Sequence, residues 1–213
     1  MDAELARYLS DPLQLLIKSY PVGSFQVSIE LDSEVGTGGF VWDGAQIMAH
    51  FFLKHPSVFG KMTRVLELGS GTGFLSIAFA KMYPAVKVHA TDIAGNLPLM
   101  ERNVALNQVS SSVKTEELDW RYPYRLKDFD LIFGSDLVYL QELHAPLIAT
   151  LKKVASPKTQ IYFCNEWRKR ADLEFYLTAR KTGFTPTILP AWYLDDYYRS
   201  EEVPIVRLMP TSK

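Results

Sequence analysis

The sequence predicts an α/β fold in which helices cover both faces of a mainly parallel sheet. From Arg64 onward, segments typical of strands alternate with segments typical of helices, which is the pattern of a parallel sheet with helical crossovers. A glycine-rich turn, Gly69-Ser70-Gly71-Thr72-Gly73, directly follows the first strand of this alternation. In parallel sheets, ligands bind beyond the carboxyl ends of the strands, so we expect a ligand at this turn.

The elements follow one another in a regular order. The first predicted strand is Ser24–Leu31, and a turn with three glycines then leads into a helix at Gly44–Lys54 with Asp43 as its cap. The later strands are predicted at Arg64–Leu68, Val86–Thr91, Val113–Leu118, Asp130–Phe133, Gln160–Phe163, Phe184–Leu189 and Pro204–Met209. The later helices are predicted at Phe74–Met82, Leu97–Asn107, Leu143–Val154 and Arg170–Thr182.

The bulk composition is that of one globular domain. The chain has 213 residues, with 47% hydrophobic and 22% charged residues, which is close to the globular average and enough to bury a substantial core. We find no internal repeat and no low-complexity tract. We therefore expect a single domain over residues 1–213, with an N-terminal extension (about 1–60) packed on the core.

Charge and cysteine usage exclude several classes of function. The formal net charge is −1 and no run of Lys and Arg is dense, so we expect no nucleic-acid partner. Cys164 is the only cysteine, which rules out an internal disulfide and favours a reducing compartment. The sequence shows neither a signal-peptide core nor a membrane-length apolar run. We expect a cytoplasmic or nuclear protein with no membrane partner.

The glycine turn favours one of two nucleoside ligands. A dinucleotide site needs G-x-G-x-x-G, but Phe74 stands at the third glycine position. Glu67, just before the glycines, would repel a pyrophosphate, whereas it would attract the ammonium of the methionine moiety of S-adenosylmethionine. The alternative is a tight strand-to-helix turn that holds no ligand.

Two further residues fit a nucleoside. Asp92 ends the second strand of the alternation, where a carboxylate can accept both hydroxyls of a ribose; its other interpretation is a helix cap, a role that Asn96 could also fill. Trp120 follows the third strand and could flank an adenine ring, or it could be an ordinary core tryptophan.

With these residues together, the chain resembles the class I, seven-strand S-adenosylmethionine-dependent methyltransferases, and within them the methyltransferase-like protein-lysine methyltransferases. The residues that carry the resemblance are FVWDGA at Phe40–Ala45, VLELGSGTG at Val65–Gly73, TD at Thr91–Asp92, LDW at Leu118–Trp120 and DLIFGSDLVYL at Asp130–Leu140. Asp11–Leu13 and Tyr198–Val206 extend it along nearly the whole chain. These two segments look most like the family members that modify valosin-containing protein.

The resemblance implies a fold and a cofactor site. It implies a Rossmann-like seven-stranded sheet with one antiparallel strand at its edge, which we assign to Pro204–Met209. It implies that S-adenosylmethionine is lined by Trp42, Gly69, Ser70, Gly71, Asp92, Trp120 and Ser135. Gly44 and Ser135 stand where alanine is commoner in the family, and neither change removes a group that the chemistry needs.

Asp136 and Tyr139 are the candidate catalytic residues. They begin and end the stretch Asp-Leu-Val-Tyr at the exit of the fourth strand of the alternation, which is similar to the acidic-x-x-aromatic motif of the family. Asp136 would accept hydrogen bonds from the target amine and aim its lone pair, and Tyr139 would wall the channel and hold the ammonium on its ring face. The alternative for Asp136 is a cap for the following helix, although Glu142 could serve there.

Other candidates are weaker. The four histidines are scattered without the spacing of a metal site, so we expect no metal, and Cys164 fits a core residue better than a nucleophile. The aromatic and acidic segment Trp192–Glu202 fits a solvated loop and a substrate-recognition flap equally well.

The sequence therefore predicts a protein-lysine N-methyltransferase that uses S-adenosylmethionine and releases S-adenosylhomocysteine. Its protein substrate would be a AAA ATPase, an Hsp70-type chaperone or elongation factor 1A, as the resemblance implies. We expect a monomer. The alternatives are a small-molecule N-methyltransferase, which the same core would serve, and a non-catalytic cofactor-binding module.

Overall fold

The computed structural model describes residues 16–122, 125, 127–167 and 170–211. β1 (Leu16–Val22) and β2 (Phe25–Leu31) form an antiparallel hairpin. A seven-stranded sheet contains β3 (Arg64–Leu68), β4 (Lys87–Asp92), β5 (Val113–Glu117), β6 (Leu131–Ser135), β7 (Gln160–Cys164), β8 (Phe184–Ile188) and β9 (Ile205–Pro210). The α-helices are α1 (Asp43–Lys54), α2 (Pro56–Phe59), α3 (Phe74–Met82), α4 (Leu97–Leu106), α5 (His144–Val154) and α6 (Arg170–Lys181).

The sheet confirms the predicted fold class. Its strand order is β5-β4-β3-β6-β7-β9-β8, and only β9 runs against its neighbours, pairing antiparallel with both β7 and β8. The prediction that the reversed strand lies at the sheet edge is wrong, because β9 lies between β7 and β8. β8 forms the edge, and the connection between Ile188 and Ile205 is long enough for β9 to return to the position beside β7.

The strand order places the site. β3 pairs with β4 on one side and with β6 on the other. The chain adds β4 and β5 on one side of β3 and then crosses over to add β6 and β7 on the other side. In open parallel sheets this switch leaves a crevice at the carboxyl ends of the two strands. The glycine turn follows β3, and Asp136 follows β6.

Alternation along the strands builds two cores, one on each face of the sheet. In β3, Val65 belongs to one buried cluster, whereas Leu66 and Leu68 belong to the other. The first cluster takes residues from the hairpin and from α1 to α4, and the second from α5 and α6. Helices on both faces thus bury both sides of the strands, as the alternation of elements predicts.

The N-terminal part differs from the prediction in two respects. Asp43 does not cap α1 but is its first residue; the cap position is Trp42, whose side chain makes no capping bond. The strand β1 was not predicted, because most of its residues are exposed and the strand contains Pro21. Asp11–Leu13 lies outside the described residues, and the single-domain boundary with its N-terminal extension stays a prediction.

No helix in the described ranges is both long and apolar enough to cross a bilayer.

Candidate active site

One cavity of about 600 Å³ brings the predicted site residues together. It opens at the carboxyl ends of β3 and β6, where the strand order reverses. Its lining includes every residue predicted for the cofactor and for catalysis: Trp42, Glu67, Gly69, Ser70, Gly71, Asp92, Trp120, Ser135, Asp136 and Tyr139. The lining also contains residues that no sequence pattern indicated as part of the site, among them Val35, Thr37 and Gly38.

The glycine turn is packed too closely for side chains. Gly69 has φ 61°, and a Cβ there would lie 2.6 Å from Leu137 Cδ2 and 3.4 Å from Trp120 Cζ2. Gly71 has φ 52°, and a Cβ there would lie 2.9 Å from the carbonyl oxygen of Gly38. Both positions therefore require glycine for conformation and for space. The glycine turn therefore packs against Trp120, Leu137 and Gly38.

Glu67 is a buried acid on the cavity wall. Its side chain is held by Ser76 at the start of α3, because Oε2 accepts the Ser76 amide at 3.0 Å and also the Ser76 hydroxyl. Burial raises the pKa of Glu67 to about 8. In the described part of the chain, no Lys, Arg or His forms a salt bridge with this carboxyl.

Asp92 joins the two loops that flank the cavity. Its Oδ2 accepts the Gly71 amide at 2.7 Å, and its Oδ1 accepts the Ile93 amide at 2.7 Å and Asn96 Nδ2 at 2.8 Å. Burial raises the pKa of Asp92, although these hydrogen bonds oppose the rise. Asn96 occupies the cap position of α4 but makes no side-chain capping bond, so the expected capping role is wrong; its amide instead holds Asp92.

A segment from Ser33 to Gly39, which we call the strap, lines the cavity beside the glycine turn, with Gly38 directly against Gly71. Its Thr37 carbonyl accepts Trp42 Nε1 at 2.9 Å, and its Thr37 hydroxyl lies 3.2 Å from Tyr139 Oη. Thr37 thus links a residue predicted for the cofactor to one predicted for catalysis. The three glycines before Trp42 were the only sequence signal for this segment.

Asp136 is held in an unusual backbone conformation directly after β6. Its φ is 53°, a left-handed value that is uncommon for a residue other than glycine and that recurs at functional sites. The amide of Asp136 donates to the Cys164 carbonyl at 2.8 Å, and Oδ1 accepts the Glu166 amide at 3.3 Å. The next helical turn starts at Gln141 and α5 at His144, neither with a side-chain cap. Neither Asp136 nor Glu142 therefore caps a helix.

Tyr139 and Ser135 complete the region around Asp136. Ser135 is the last residue of β6 and is half-buried. Tyr139 is 47% exposed, so its ring stands at the mouth of the cavity rather than in the core. Together these residues give the cavity a carboxylate and an aromatic wall at its rim.

The remaining candidates lie outside this cavity. Cys164 is fully buried, and burial raises the pKa of its thiol, so it is a core residue and no nucleophile. Within the described ranges, no group of three or more His, Cys, Asp or Glu side chains could hold a metal ion.

The segment Trp192–Glu202 is anchored on one side and open on the other. Tyr198 stacks on His50 of α1 with ring centroids 3.5 Å apart, whereas Trp192 and Tyr197 are 74% and 93% exposed. The structure thus gives the segment both a fixed base and free aromatic side chains. Its role as a substrate-recognition flap stays a prediction.

The acidic side chains of the cavity suit a ligand with positive charge. Two acids, the buried Glu67 and the half-buried Asp92, line it without a salt bridge to a cation in the described ranges. An ammonium and a sulfonium would stabilise the ionised form of both carboxyl groups, whereas a pyrophosphate would repel it. The cavity therefore fits S-adenosylmethionine better than a dinucleotide.

Comparison of the sequence with known proteins gives the same assignment. The sequence pattern of the family described as lysine methyltransferase matches residues 23–182. The protein-lysine N-methyltransferase EFM6 of Saccharomyces cerevisiae is 29% identical over 171 residues, covering 67% of this chain and 69% of the yeast protein. The protein N-lysine methyltransferase METTL21A of Danio rerio is 32% identical over 157 residues, covering 71% of this chain and 70% of that protein.

A third relative is the EEF1A lysine methyltransferase 3 of Xenopus tropicalis, 31% identical over 144 residues, covering 64% of this chain and 61% of that protein. The matched region thus spans less than two thirds of this relative. Among solved structures, a ribosomal protein L11 methylase from Lactobacillus delbrueckii subsp. bulgaricus superposes with a TM-score of 0.59 at 22% identity, covering 78% of this chain and 79% of that chain. This likeness supports the fold. The chain belongs to the lysine methyltransferase family, and it is an S-adenosylmethionine-dependent methyltransferase.

Proposed function

We propose that the cavity described above transfers a methyl group from S-adenosylmethionine to the ε-amine of a lysine in a protein substrate, with release of S-adenosylhomocysteine. The observation that carries this proposal is the placement of Asp136 and Tyr139 on the same cavity as Glu67 and Asp92. Groups suited to an amine thus share a cavity with groups suited to the methyl donor.

The chemistry sets what the protein must do. S-adenosylmethionine, when bound, supplies a methyl group that its sulfonium already activates. A lysine amine has a pKa of about 10.4, so nearly all of it is protonated at neutral pH and has no free lone pair. The site must therefore favour the neutral amine, exclude water and align the nitrogen for in-line displacement.

Asp136 would align the amine. Asp136 is half-buried. Its backbone amide donates to the Cys164 carbonyl, and its Oδ1 accepts the Glu166 amide. The carboxylate would accept an N–H from the target amine, so that the nitrogen lone pair points into the cavity. The lysine ammonium would first lose its proton to solvent, and the neutral nitrogen would then take the methyl group while the carbon–sulfur bonding pair would remain on sulfur.

Tyr139 would provide the wall of the lysine channel. Because its ring is half-exposed at the mouth, it can hold an ammonium on its face as the side chain enters. Once the ammonium has lost its proton, the apolar ring favours the neutral amine. Trp42 is 39% exposed and would cover the cofactor. Thr37 lies between Trp42 and Tyr139 and contacts both.

Among protein substrates, elongation factor 1A is the one that we propose first, since EEF1A is named for one relative. A AAA ATPase and an Hsp70-type chaperone are the alternatives that the family resemblance gives. Such substrates place the enzyme in the cytoplasm, with the nucleus as a second location. We propose a monomer, because the described residues of one chain supply every residue of the proposed site.

Isotope labelling tests this function. The purified enzyme is incubated with S-adenosylmethionine labelled in its methyl group and with a cell lysate, and the products are separated by size. Label on a protein band, assigned by mass spectrometry to methyllysine, supports the proposal and identifies the substrate. Label in the small-molecule fraction supports a small-molecule N-methyltransferase instead, and absence of transferred label supports a non-catalytic module.

A further inference from the structure

The turn that contains Asp136 is held by three consecutive residues, the last residue of β7 and the two that follow it. The Cys164 carbonyl accepts the Asp136 amide at 2.8 Å, and the Glu166 amide donates to Asp136 Oδ1 at 3.3 Å. Between them, Asn165 Oδ1 accepts the Leu137 amide at 2.8 Å. Three consecutive residues thus bind both the backbone and the side chain of the turn.

Tyr176 on α6 fixes the side chain that makes the middle contact. Asn165 Nδ2 donates to Tyr176 Oη at 2.7 Å, which decides the orientation of the amide: Nδ2 faces the tyrosine, so Oδ1 faces Leu137. A flipped amide would place an NH2 group against the Leu137 N–H. Asn165 is 1% and Tyr176 6% exposed, so water cannot replace either bond without disruption of the core.

The left-handed conformation of Asp136 explains why such support is needed. A non-glycine residue at φ 53° costs free energy relative to ordinary backbone, so it persists only where neighbouring contacts enforce it. Without the bond to Asn165, the Leu137 peptide can rotate and relax the conformation of Asp136. The carboxylate would then leave the direction that the cavity requires.

We infer that Asn165 and Tyr176 are positioning residues, which hold the Asp136 carboxylate in the orientation that aligns the substrate amine. This inference rests on the proposed function. Neither residue lines the cavity, so each acts through the turn at Asp136 and Leu137, without contact to cofactor or substrate.

The test uses Tyr176→Phe, which keeps the ring and removes only the hydroxyl. Its control is Tyr162→Phe, because Tyr162 is also buried, at 4% exposure, and its hydroxyl also bonds an amide side chain, Gln160 Oε1 at 2.9 Å. Both variants should lose similar thermal stability. Only Tyr176→Phe should lower kcat, by about tenfold, with KM for the cofactor within about twofold. Equal kcat in the two variants would overturn the inference.

A double-mutant cycle separates positioning from general loosening of the fold. If Tyr176 acts through Asp136, Tyr176→Phe should not lower kcat further in an Asp136→Ala background. Multiplicative losses in the double variant would contradict the inference, since they would show that the two residues act independently.

A measurement without turnover keeps the inference separate from the proposed function. Hydrogen exchange at the Leu137 amide, followed in the cofactor-bound protein, should be about tenfold faster in Tyr176→Phe than in the wild type and unchanged in Tyr162→Phe. Unchanged protection in Tyr176→Phe would refute the inference whatever the substrate. A wild-type enzyme that methylates no lysine would instead refute the proposed function.

Discussion

The carboxylate of Asp136 lies directly against the backbone of Gly44, the second residue of α1. A Cβ added at Gly44 would lie 2.6 Å from Asp136 Oδ2 and 3.1 Å from the Cys164 carbonyl oxygen. The start of α1 and the turn after β6 therefore meet with no room for a side chain. The absence of a side chain at Gly44 gives the carboxylate its space.

This contact predicts a specific effect of Gly44→Ala. The added methyl must displace the Asp136 carboxylate, and a displacement of this kind should lower kcat by roughly 10- to 100-fold, with cofactor affinity nearly unchanged. Steady-state kinetics and calorimetry measure the two quantities. Gly95→Ala is the control, because a Cβ at Gly95 would meet nothing within 4 Å. Wild-type turnover in Gly44→Ala would show that the carboxylate does not need this position.

Glu67 predicts a pH dependence of stability in the absence of cofactor. Its pKa rises from 4.5 to about 8 on folding, so the folded state binds a proton that the unfolded state has lost between these values. Its contribution is complete below pH 4.5 and is lost as pH rises through about 8, by at most about 1.4 kcal/mol per pH unit. Denaturant titrations from pH 5 to 8 should therefore show a decline that Glu67→Gln removes.

The difference between wild type and variant is the quantity to measure, because another group acts in the opposite direction. Burial lowers the pKa of His50 below 6.5, so its contribution to stability grows with pH up to that value. Parallel curves for wild type and Glu67→Gln would show that Glu67 is ionised in the empty site. Calorimetry in two buffers adds a second check: binding of S-adenosylhomocysteine near pH 7 should release a proton in the wild type and none in Glu67→Gln.

Asp92→Ala should weaken cofactor binding. The variant loses an acceptor for the ribose hydroxyls and also the bonds that Asp92 makes to Gly71 and Asn96. We expect a loss of about 1.5–3 kcal/mol in binding free energy, as for hydrogen bonds to a charged group. Asp130→Ala is the control, since Asp130 also accepts backbone amides, from Thr63 and Arg64, but lies away from the cavity. Equal dissociation constants for Asp92→Ala and Asp130→Ala would remove Asp92 from the cofactor site.

Tyr139 is predicted to act through its ring rather than its hydroxyl. Tyr139→Phe keeps the wall and loses only the contact to Thr37, so its kcat should stay within about threefold of the wild type, the effect of one exposed hydrogen bond. Thr37→Val removes the same contact from the other side and should match it. Tyr139→Ala should lower kcat about tenfold or more. A large loss in Tyr139→Phe alone would point to a chemical role for the hydroxyl.

Local pattern was sufficient to predict most of the fold. The helix at Phe74–Met82 and the strand at Arg64–Leu68 have the predicted bounds, because each has a clear apolar pattern and a turn at its end. The hairpin strand Leu16–Val22 lacked such a pattern, with only two buried residues. The insertion of β9 between β7 and β8 depends on long-range pairing, which leaves no local signal.

In the site, too, some features follow from the order of elements and others depend on long-range contacts. Glu67 and Asp92 lie at the carboxyl ends of β3 and β4, and Asp136 directly follows β6, so their meeting at one edge could be predicted from the order of elements. The links from Thr37 to Tyr139 and from Gly44 to Asp136 join segments about a hundred residues apart in sequence. Tyr176 carries no sequence signal at all, since its role depends on how α6 packs against the end of β7.

The turnover of Asp136 variants decides whether this carboxylate aligns the substrate amine. With the labelled protein substrate in hand, kcat and the dissociation constant of S-adenosylhomocysteine are measured for wild type, Asp136→Asn and Asp136→Ala. We expect unchanged cofactor affinity and melting temperature, a loss of kcat of about 100-fold or more in Asp136→Ala, and a smaller loss in Asp136→Asn, whose amide keeps one acceptor to orient the amine. Methylation of lysine by Asp136→Ala at the wild-type rate would contradict this role of Asp136.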